Sequence, residues 1–514
     1  MVETRNLLGE VVEAPQKKPR ADAMTGAKRR FKPIDRSQTS WGTIDIEKFI
    51  GPDHPARGIW AMVEQLDWSA LEEKIRSVEG HAGQSSLDPR LLMALWIYGY
   101  SEGISSAREL SRMCGYEPGC QWLAAGHEVN YHTLSDFRVE HQKELNRIFV
   151  QVLGLLSAEG LIEMKRITQD GTKIKAHAAS KSFRRGPRIR EHLQMARKHV
   201  EAMNLSESAE LTARMIEARK RAEREKQQRL KEALEELEKL QQTVDKDPEK
   251  IRVSETDPQA RIMKQPNGGF APSYNLQICT DAAHGLIVAA DVTQTGNDYD
   301  QLVPGLERVE ANTGQTPEQI LVDGGYTTKY SNIEAMAQRG VDLNGPVGEK
   351  NPEASYRQRG ISPEFYPDQF TYDVLTDTFT CPAGQSLRPA GISPRDGGAE
   401  HRYRALETDC QTCRFRHQCC PKNSSRMIVR KIHSPAVEAF QAKMKTDGAK
   451  QLYRTRSQIA EFPHAWIKEK LRVRQFRLRG LLKVGVEALW VCLTYNIQQW
   501  LRLSWKPRFQ PIAS

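Results

Sequence analysis

The chain is predicted to be an α/β protein with an all-helical N-terminal domain and two insertions. Three observations predict this. Between residues 166 and 347 the periodicity runs strand, strand, helix, strand, the order of an α/β core. Ahead of it, Gly51 to Phe149 carries only helical spacing. The core pattern is interrupted by a charged helical stretch and by a cysteine-rich one.

At 514 residues the chain is too long for one ordinary core and predicts two to four structural units. Hydrophobic residues make up 39% and charged residues 27%, a globular composition. No apolar run is long enough to span a bilayer, and residues 1–20 lack the apolar stretch of a secretory signal, so a cytoplasmic location is expected. The net charge is +10, unevenly placed. Residues 165–190 hold nine Lys/Arg against one acid, and residues 453–506 hold eleven against three. Two such stretches point to a polyanionic partner, DNA or RNA. The nine cysteines are an odd number without a signal peptide, which argues against a disulfide framework.

Residues 1–45 are polar and basic without periodicity and read as a flexible arm. The helical domain, 46–150, is carried by Ile59, Met62, Val63 and Leu66, then by Leu91, Leu92, Leu95 and Trp96, with Thr133 and Asp136 expected as a capping box. From Arg166 the period becomes two: Thr172, Ile174 and Ala176 alternate with Lys173 and Lys175. Residues 190–245 read as a projecting charged helical hairpin, with a short seam of Leu230, Leu234, Leu237 and Val244. Strands follow at Tyr274 to Ile278 and Leu286 to Thr293, a helix at Gln301 to Glu310, a buried strand at Ile320 to Val322, and a fifth strand within Val341 to Val347. Residues 350–430 form the second insert. The core resumes over 431–505 and ends in an amphipathic helix through Val486, Leu489, Trp490, Leu493, Ile497 and Leu501.

Asp170 is a lone acid among basic residues on a predicted strand, and Asp323 closes another strand beside Gly324 and Gly325. Carboxylates at strand ends with a glycine turn suit divalent-metal binding. Most such aspartates, however, serve turns and helix caps. Tyr453, Arg456, Glu461 and Lys468 share one basic helical region, in which Pro463 is expected to kink the helix or to start a new one.

These residues carry a resemblance. Tyr453-x2-Arg456-x4-Glu461-x6-Lys468, followed by Phe476-x2-Arg479-Gly480, resembles the C-terminal signature of bacterial insertion-sequence DDE transposases of the tyrosine–arginine–glutamate–lysine type. Asp170-Gly171-Thr172-Lys173 and Val322-Asp323-Gly324-Gly325-Tyr326 are similar to the segments holding that family's two catalytic aspartates. Tyr274-Asn275-Leu276-Gln277, the stretch from Asp257-Pro258 to Met263, and Tyr131 to Arg138 in the helical domain also fit. After the glutamate the family commonly has proline and then phenylalanine-glycine, where this chain has Glu461-Phe462-Pro463-His464.

The resemblance implies a ribonuclease H-like core with Asp170 and Asp323 on neighbouring strands and Glu461 on a helix facing them. Together they would hold two Mg²⁺ or Mn²⁺ ions. Tyr453, Arg456 and Lys468 would bind DNA phosphate. The implied activity is binding of element ends followed by metal-dependent cleavage and strand transfer, in a homodimeric synaptic complex near the nucleoid. The competing readings are a catalytically inactive, transposase-derived DNA-binding protein and a nuclease without a joining step. Separately, Cys381, Cys410, Cys413 and Cys419 supply four thiolates, enough for tetrahedral zinc, with Cys420 or His417 able to replace Cys419. Free, partly buried cysteines are the alternative.

Overall fold

The computed structural model describes residues 45–75, 86–205, 213–243, 247–347 and 352–509, together with two short strands nearer the N-terminus. Those strands, β1 (Thr4–Arg5) and β2 (Val11–Val12), pair antiparallel within a separate unit, Met1–Asp45. The rest of the expected basic arm lies outside the described residues, as does Val244 of the hairpin seam.

In the described residues the second unit, Ile46–Ser514, opens with a 3-10 turn, Ile46–Phe49, and then seven α-helices: α1 (Pro55–Val63), α2 (Ser69–Glu72), α3 (Pro89–Ser101), α4 (Ala107–Met113), α5 (Pro118–Leu123), α6 (Tyr131–Glu140) and α7 (Gln142–Ala158). The N-cap of α6 lies three residues earlier than the expected capping box places it. Asn130 is its N-cap and accepts from His132 N at 2.9 Å, so Thr133 and Asp136 lie inside the helix.

The chain then enters β3 (Arg166–Lys175). A small ladder of β4 (Phe183–Arg184) and β5 (Val253–Ser254) closes the base of a helical hairpin, α8 (Gly186–Leu205) and α9 (Ala213–Thr243). Among the described residues, the apolar core of the hairpin lies at its base, built by Ile189, Leu193 and Ala196 against Leu230, Ala233 and Leu237. After it come β6 (Arg261–Lys264), β7 (Phe270–Asp281), β8 (Ile287–Thr293), α10 (Leu302–Thr313), β9 (Gln319–Leu321), α11 (Gly324–Thr327), α12 (Tyr330–Gln338) and β10 (Asp342–Asn344).

The sheet runs β10, β9, β3, β7, with β8 and β6 sharing the far edge of β7. Strands β3, β9 and β10 are parallel to one another, and β7 is antiparallel to β3, β6 and β8. This mixed sheet flanked by helices is a ribonuclease H-like core. The fifth strand is shorter than expected, three residues of the predicted seven, because Gly345 and Pro346 end it.

The second insert contains α13 (Pro352–Gln358) and a meander of β11 (Thr371–Asp373), β12 (Thr378–Thr380), β13 (Ser386–Arg395) and β14 (Gly398–Ala405). Two short helices, α14 (Glu407–Gln411) and α15 (Arg416–Cys419), precede the last strand, β15 (Met427–His433). It has its own small core around Phe365, Phe379, Leu387 and Tyr403.

The chain returns through α16 (Pro435–Lys445), α17 (Asp447–Arg454), α18 (Arg456–Glu469) and α19 (Leu481–Trp500). Helix α19 is not amphipathic as expected. Fifteen of its side chains are buried. One side packs on β8, where Asn496 exchanges two hydrogen bonds with the backbone of Ile287, at 2.8 and 2.7 Å. The other meets the N-terminal helices, where Trp490 Nε1 donates to Arg138 O at 3.1 Å. One apolar cluster therefore runs unbroken from α1 to α19, through both the helical domain and the sheet. Pro463 does not break α18 either. Burial of Ala460, Pro463, His464 and Ile467 on one face outweighs the lost backbone donor, a local cost of about 3 kcal/mol.

Candidate active site

Parallel pairing of β3 with β9 aligns Thr168 with Leu321; Asp170 lies two residues further along β3, and Asp323 lies two residues past the end of β9 as the N-cap of α11. Their charges interact. Asp323 Oδ1 accepts from Gly325 N at 2.8 Å and caps α11, which fixes its carboxylate at the strand end. Asp170 Oδ1 accepts from its neighbour Gly171 N at 2.9 Å and lies 3.1 Å from Arg456 Nη2 of α18.

A third acid joins them from the loop after β8. Asp298 Oδ1 accepts from Asn275 Nδ2 at 2.8 Å and from Gln277 Nε2 at 2.5 Å, and Lys173 Nζ is 3.8 Å from its Oδ2. Gln277 is held in turn by the buried Tyr326 hydroxyl, which donates to its Oε1. The close fit requires a glycine at 171: a Cβ there would overlap Gln277 Nε2 and come within 2.5 Å of Asp298 Oδ1.

The crowding of acids has an electrostatic consequence. Burial pushes the Asp170 carboxyl up to about 6, and the Asp323 and Asp298 charges add to the rise. The Arg456 guanidinium opposes it without overcoming it, so the ion pair is real but outweighed.

Helix α18 supplies the cationic side. Arg456 pairs with Asp170, and Lys468 donates to Thr172 Oγ1 on β3. Burial and the Arg474 charge pull the Lys468 ammonium down. His464, one turn before Lys468, sits with Nε2 3.7 Å from Asp170 Oδ2. Burial, with the Lys468 and Arg456 charges, lowers its pKa to about 3 and keeps the imidazole neutral. Tyr453 is half-buried, close enough to feel the charges of Asp323 and Asp170. Glu461 lies on the same helix, three residues before His464, and its side chain is exposed. Among the described residues, no three His, Cys, Asp or Glu side chains already stand in a metal-holding arrangement.

The two basic stretches meet here. Lys175 at the end of β3 exchanges backbone hydrogen bonds with Arg474 and Phe476, and His177 Nδ1 lies 3.0 Å from Arg477 O. The exposed Lys175, Arg477 and Arg479 thus lie together where the two stretches meet.

Two family profiles match the chain. One, described as Transposase DDE domain, covers residues 380–501, which include Arg456, Glu461 and Lys468. The other, described as Transposase domain (DUF772), covers residues 44–140, the N-terminal helices. Together the two matches indicate an insertion-sequence DDE transposase. The family is one of DNA-cleaving and DNA-joining enzymes that generally use divalent metal ions. No curated protein matches this transposase. Asp170 and Asp323 lie outside both matched segments, so their pairing rests on the sheet register.

Sequence reasoning missed Asp298 and His464. A signal existed for each. Asn297-Asp298-Tyr299-Asp300 places two acids in a loop directly after a strand, and Arg456, Ala460, His464 and Lys468 repeat every four residues along one helix face. Other quoted motif residues of this transposase are structural. Buried Asp257 accepts from Tyr274 Oη at 2.8 Å and from Gly480 N at 3.1 Å, holding Gly480 at φ 81° before α19.

In the second insert, Cys381, Cys410, Cys413, Cys419 and Cys420 line one cavity of ≈ 20 Å³, and all five are free thiols. Burial pushes the Cys419 thiol up to about 12. Cys420 is buried in the same cluster and interacts with Cys410.

No described helix is long and apolar enough to cross a membrane.

Proposed function

We propose that this transposase binds the ends of an insertion sequence and catalyses metal-dependent DNA cleavage and strand transfer, with Asp170, Asp323 and Glu461 as its catalytic carboxylates. The observation that carries the reading is the juxtaposition of Asp170 on β3 with Asp323 just past the end of the adjacent β9, beneath a helix bearing Arg456 and Lys468. The donor set fits a hard cation: crowded carboxylate oxygens, one of them with its pKa raised by burial and by its acidic neighbours. Bound Mg²⁺ or Mn²⁺ would supply Lewis acidity that favours the attacking oxygen and the leaving 3′-oxygen.

The chain's own groups do the rest. Asp323 is held rigid by its capping bond, and Asn275 and Gln277 fix Asp298 beside it. Arg456 neutralises Asp170 in the absence of substrate. Arg456, Lys468 and Tyr453 are positioned to bind the DNA backbone near the cut, as donors to phosphate oxygens. The rim of Lys175, Arg477 and Arg479 extends that surface, and two copies of the chain would pair two element ends.

Separate alanine replacements of Asp170, Asp323 and Glu461 test the reading. Each should abolish cutting and joining while leaving end binding in place, because binding rests on the basic residues. Asp291→Asn is the control, since Asp291 is an exposed acid that pairs with Arg308 on α10. Full activity in Glu461→Ala would remove Glu461 from the set. Intact end binding with no cleavage in the wild type would favour the inactive, DNA-binding alternative.

We also propose that Cys381, Cys410, Cys413 and Cys419 hold a structural zinc ion. Their shared lining of one small cavity supports this, in a subdomain with a small core of its own, and binding would require the thiols to draw together from where they now stand.

A further inference from the structure

The helix that crosses the acids presents a nitrogen donor to them. On α18 the buried residues are Ala460, Pro463, His464 and Ile467, while Glu461 is exposed. His464 is only 8% exposed, and neither Nδ1 nor Nε2 has a hydrogen-bond partner. A buried imidazole with both nitrogens unsatisfied is uncommon and calls for a ligand. Its charged neighbours Arg456 and Lys468 are donors only, so neither accepts the ring N–H. The polar group it does face is Asp170, with Nε2 3.7 Å from Oδ2. Two ligand atoms each ~2.1 Å from one ion lie at most about 4.2 Å apart, so one cation can touch both.

We propose that His464 is a metal ligand of this site, its Nε2 sharing with Asp170 Oδ2 the cation that the acids attract. This rests on the metal-dependent reading above and deepens it. The site then offers one borderline nitrogen among hard oxygens, which shifts its preference toward Mn²⁺ relative to Mg²⁺. His464 would add a nitrogen to the carboxylate set, and Glu461, three residues earlier on the same helix, keeps the role proposed for it above.

The test is Mn²⁺ binding to the full-length protein, followed by electron paramagnetic resonance. Wild-type protein should bind Mn²⁺ and show the nitrogen coupling of a coordinated imidazole. Isotopic replacement of histidine nitrogen should change that coupling, a measurement that needs no variant. His464→Gln, similar in volume, should lose the coupling and weaken Mn²⁺ binding by about tenfold or more. Asp170→Asn should lose the ion. Asp170-dependent Mn²⁺ binding without nitrogen coupling overturns the role of His464 and leaves the carboxylate site standing. Coupling that survives in His464→Gln also overturns it. Absence of Mn²⁺ binding in the wild type overturns both this inference and the metal-dependent reading beneath it.

Discussion

Acids that look alike in sequence do different work once folded, and Glu487 is the clearest case. It lies on α19 close to the C-terminal signature, and it is fully buried. Its Oε2 accepts from Arg477 N at 2.9 Å and Leu478 N at 2.8 Å, which ties the basic rim to the core. Glu487→Ala would leave two partly buried N–H groups without this partner, at a cost of about 1–3 kcal/mol, read as a lower Tm. Burial pushes the Glu487 carboxyl up, against the Arg138 charge and the two backbone donors. A raised folded pKa means the group favours folding most fully below its unfolded value, about 4.3, and loses that contribution as pH rises through the folded value. The Tm advantage of wild type over Glu487→Gln should therefore shrink as pH rises from weakly acidic to neutral. A gap that stays constant across that window would show that the carboxyl does not titrate there. Asp281, another strand-end acid, is likewise structural, accepting from Met164 N and Ala283 N at 2.9 Å each.

At the scale of elements, local preference and tertiary packing disagree in two helices, and packing decides both. Pro463 predicts a break in α18, yet the helix continues because its apolar side is pressed on the core. The apolar spacing of α19 predicts one buried face, yet the helix is covered by β8 on one side and by α3 and α7 on the other. The cysteine subdomain shows the converse. Its core is small, so a bound ion should matter to its stability. Elemental analysis of desalted protein should find one zinc per chain. Removal by a chelator should expose this segment to proteolysis ahead of the rest of the chain. Zinc below about a tenth of an equivalent would support free cysteines. Cys420→Ser should leave the zinc in place if Cys419 is the fourth ligand and remove it if Cys420 is.

For the whole molecule, the central fact is that two distant basic stretches meet each other, and each sends a cation to the acids, Lys173 to Asp298 and Arg456 to Asp170. DNA binding should weaken steeply with salt, since each neutralised phosphate releases counterions. Replacing Lys175, Arg477 and Arg479 together should flatten the plot of log affinity against log salt, by about 0.9 for each phosphate no longer neutralised. An unchanged slope would place the DNA path elsewhere. The same continuity limits dissection: α19 fills the core of the N-terminal helices, so a fragment ending near residue 150 would expose Trp96, Tyr100 and their neighbours. Mapping of end recognition is better done by surface substitutions in the intact chain.

Periodicity and composition by themselves determined much of this protein: the α/β core, the helical domain before it, the charged hairpin, the cysteine insert and the basic character. Each is written in neighbouring residues, where side-chain spacing reports local geometry. Asp170 and Asp323 were legible as strand-end acids because the strand pattern and the glycine turn are local too. Tertiary structure alone decided which acids meet. The β3–β9 register sets Asp170 beside Asp323, the loop after β8 brings in Asp298, and the packing of α18 turns His464 inward and Glu461 outward. Those facts depend on the pairing of segments more than a hundred residues apart, and no local period encodes them.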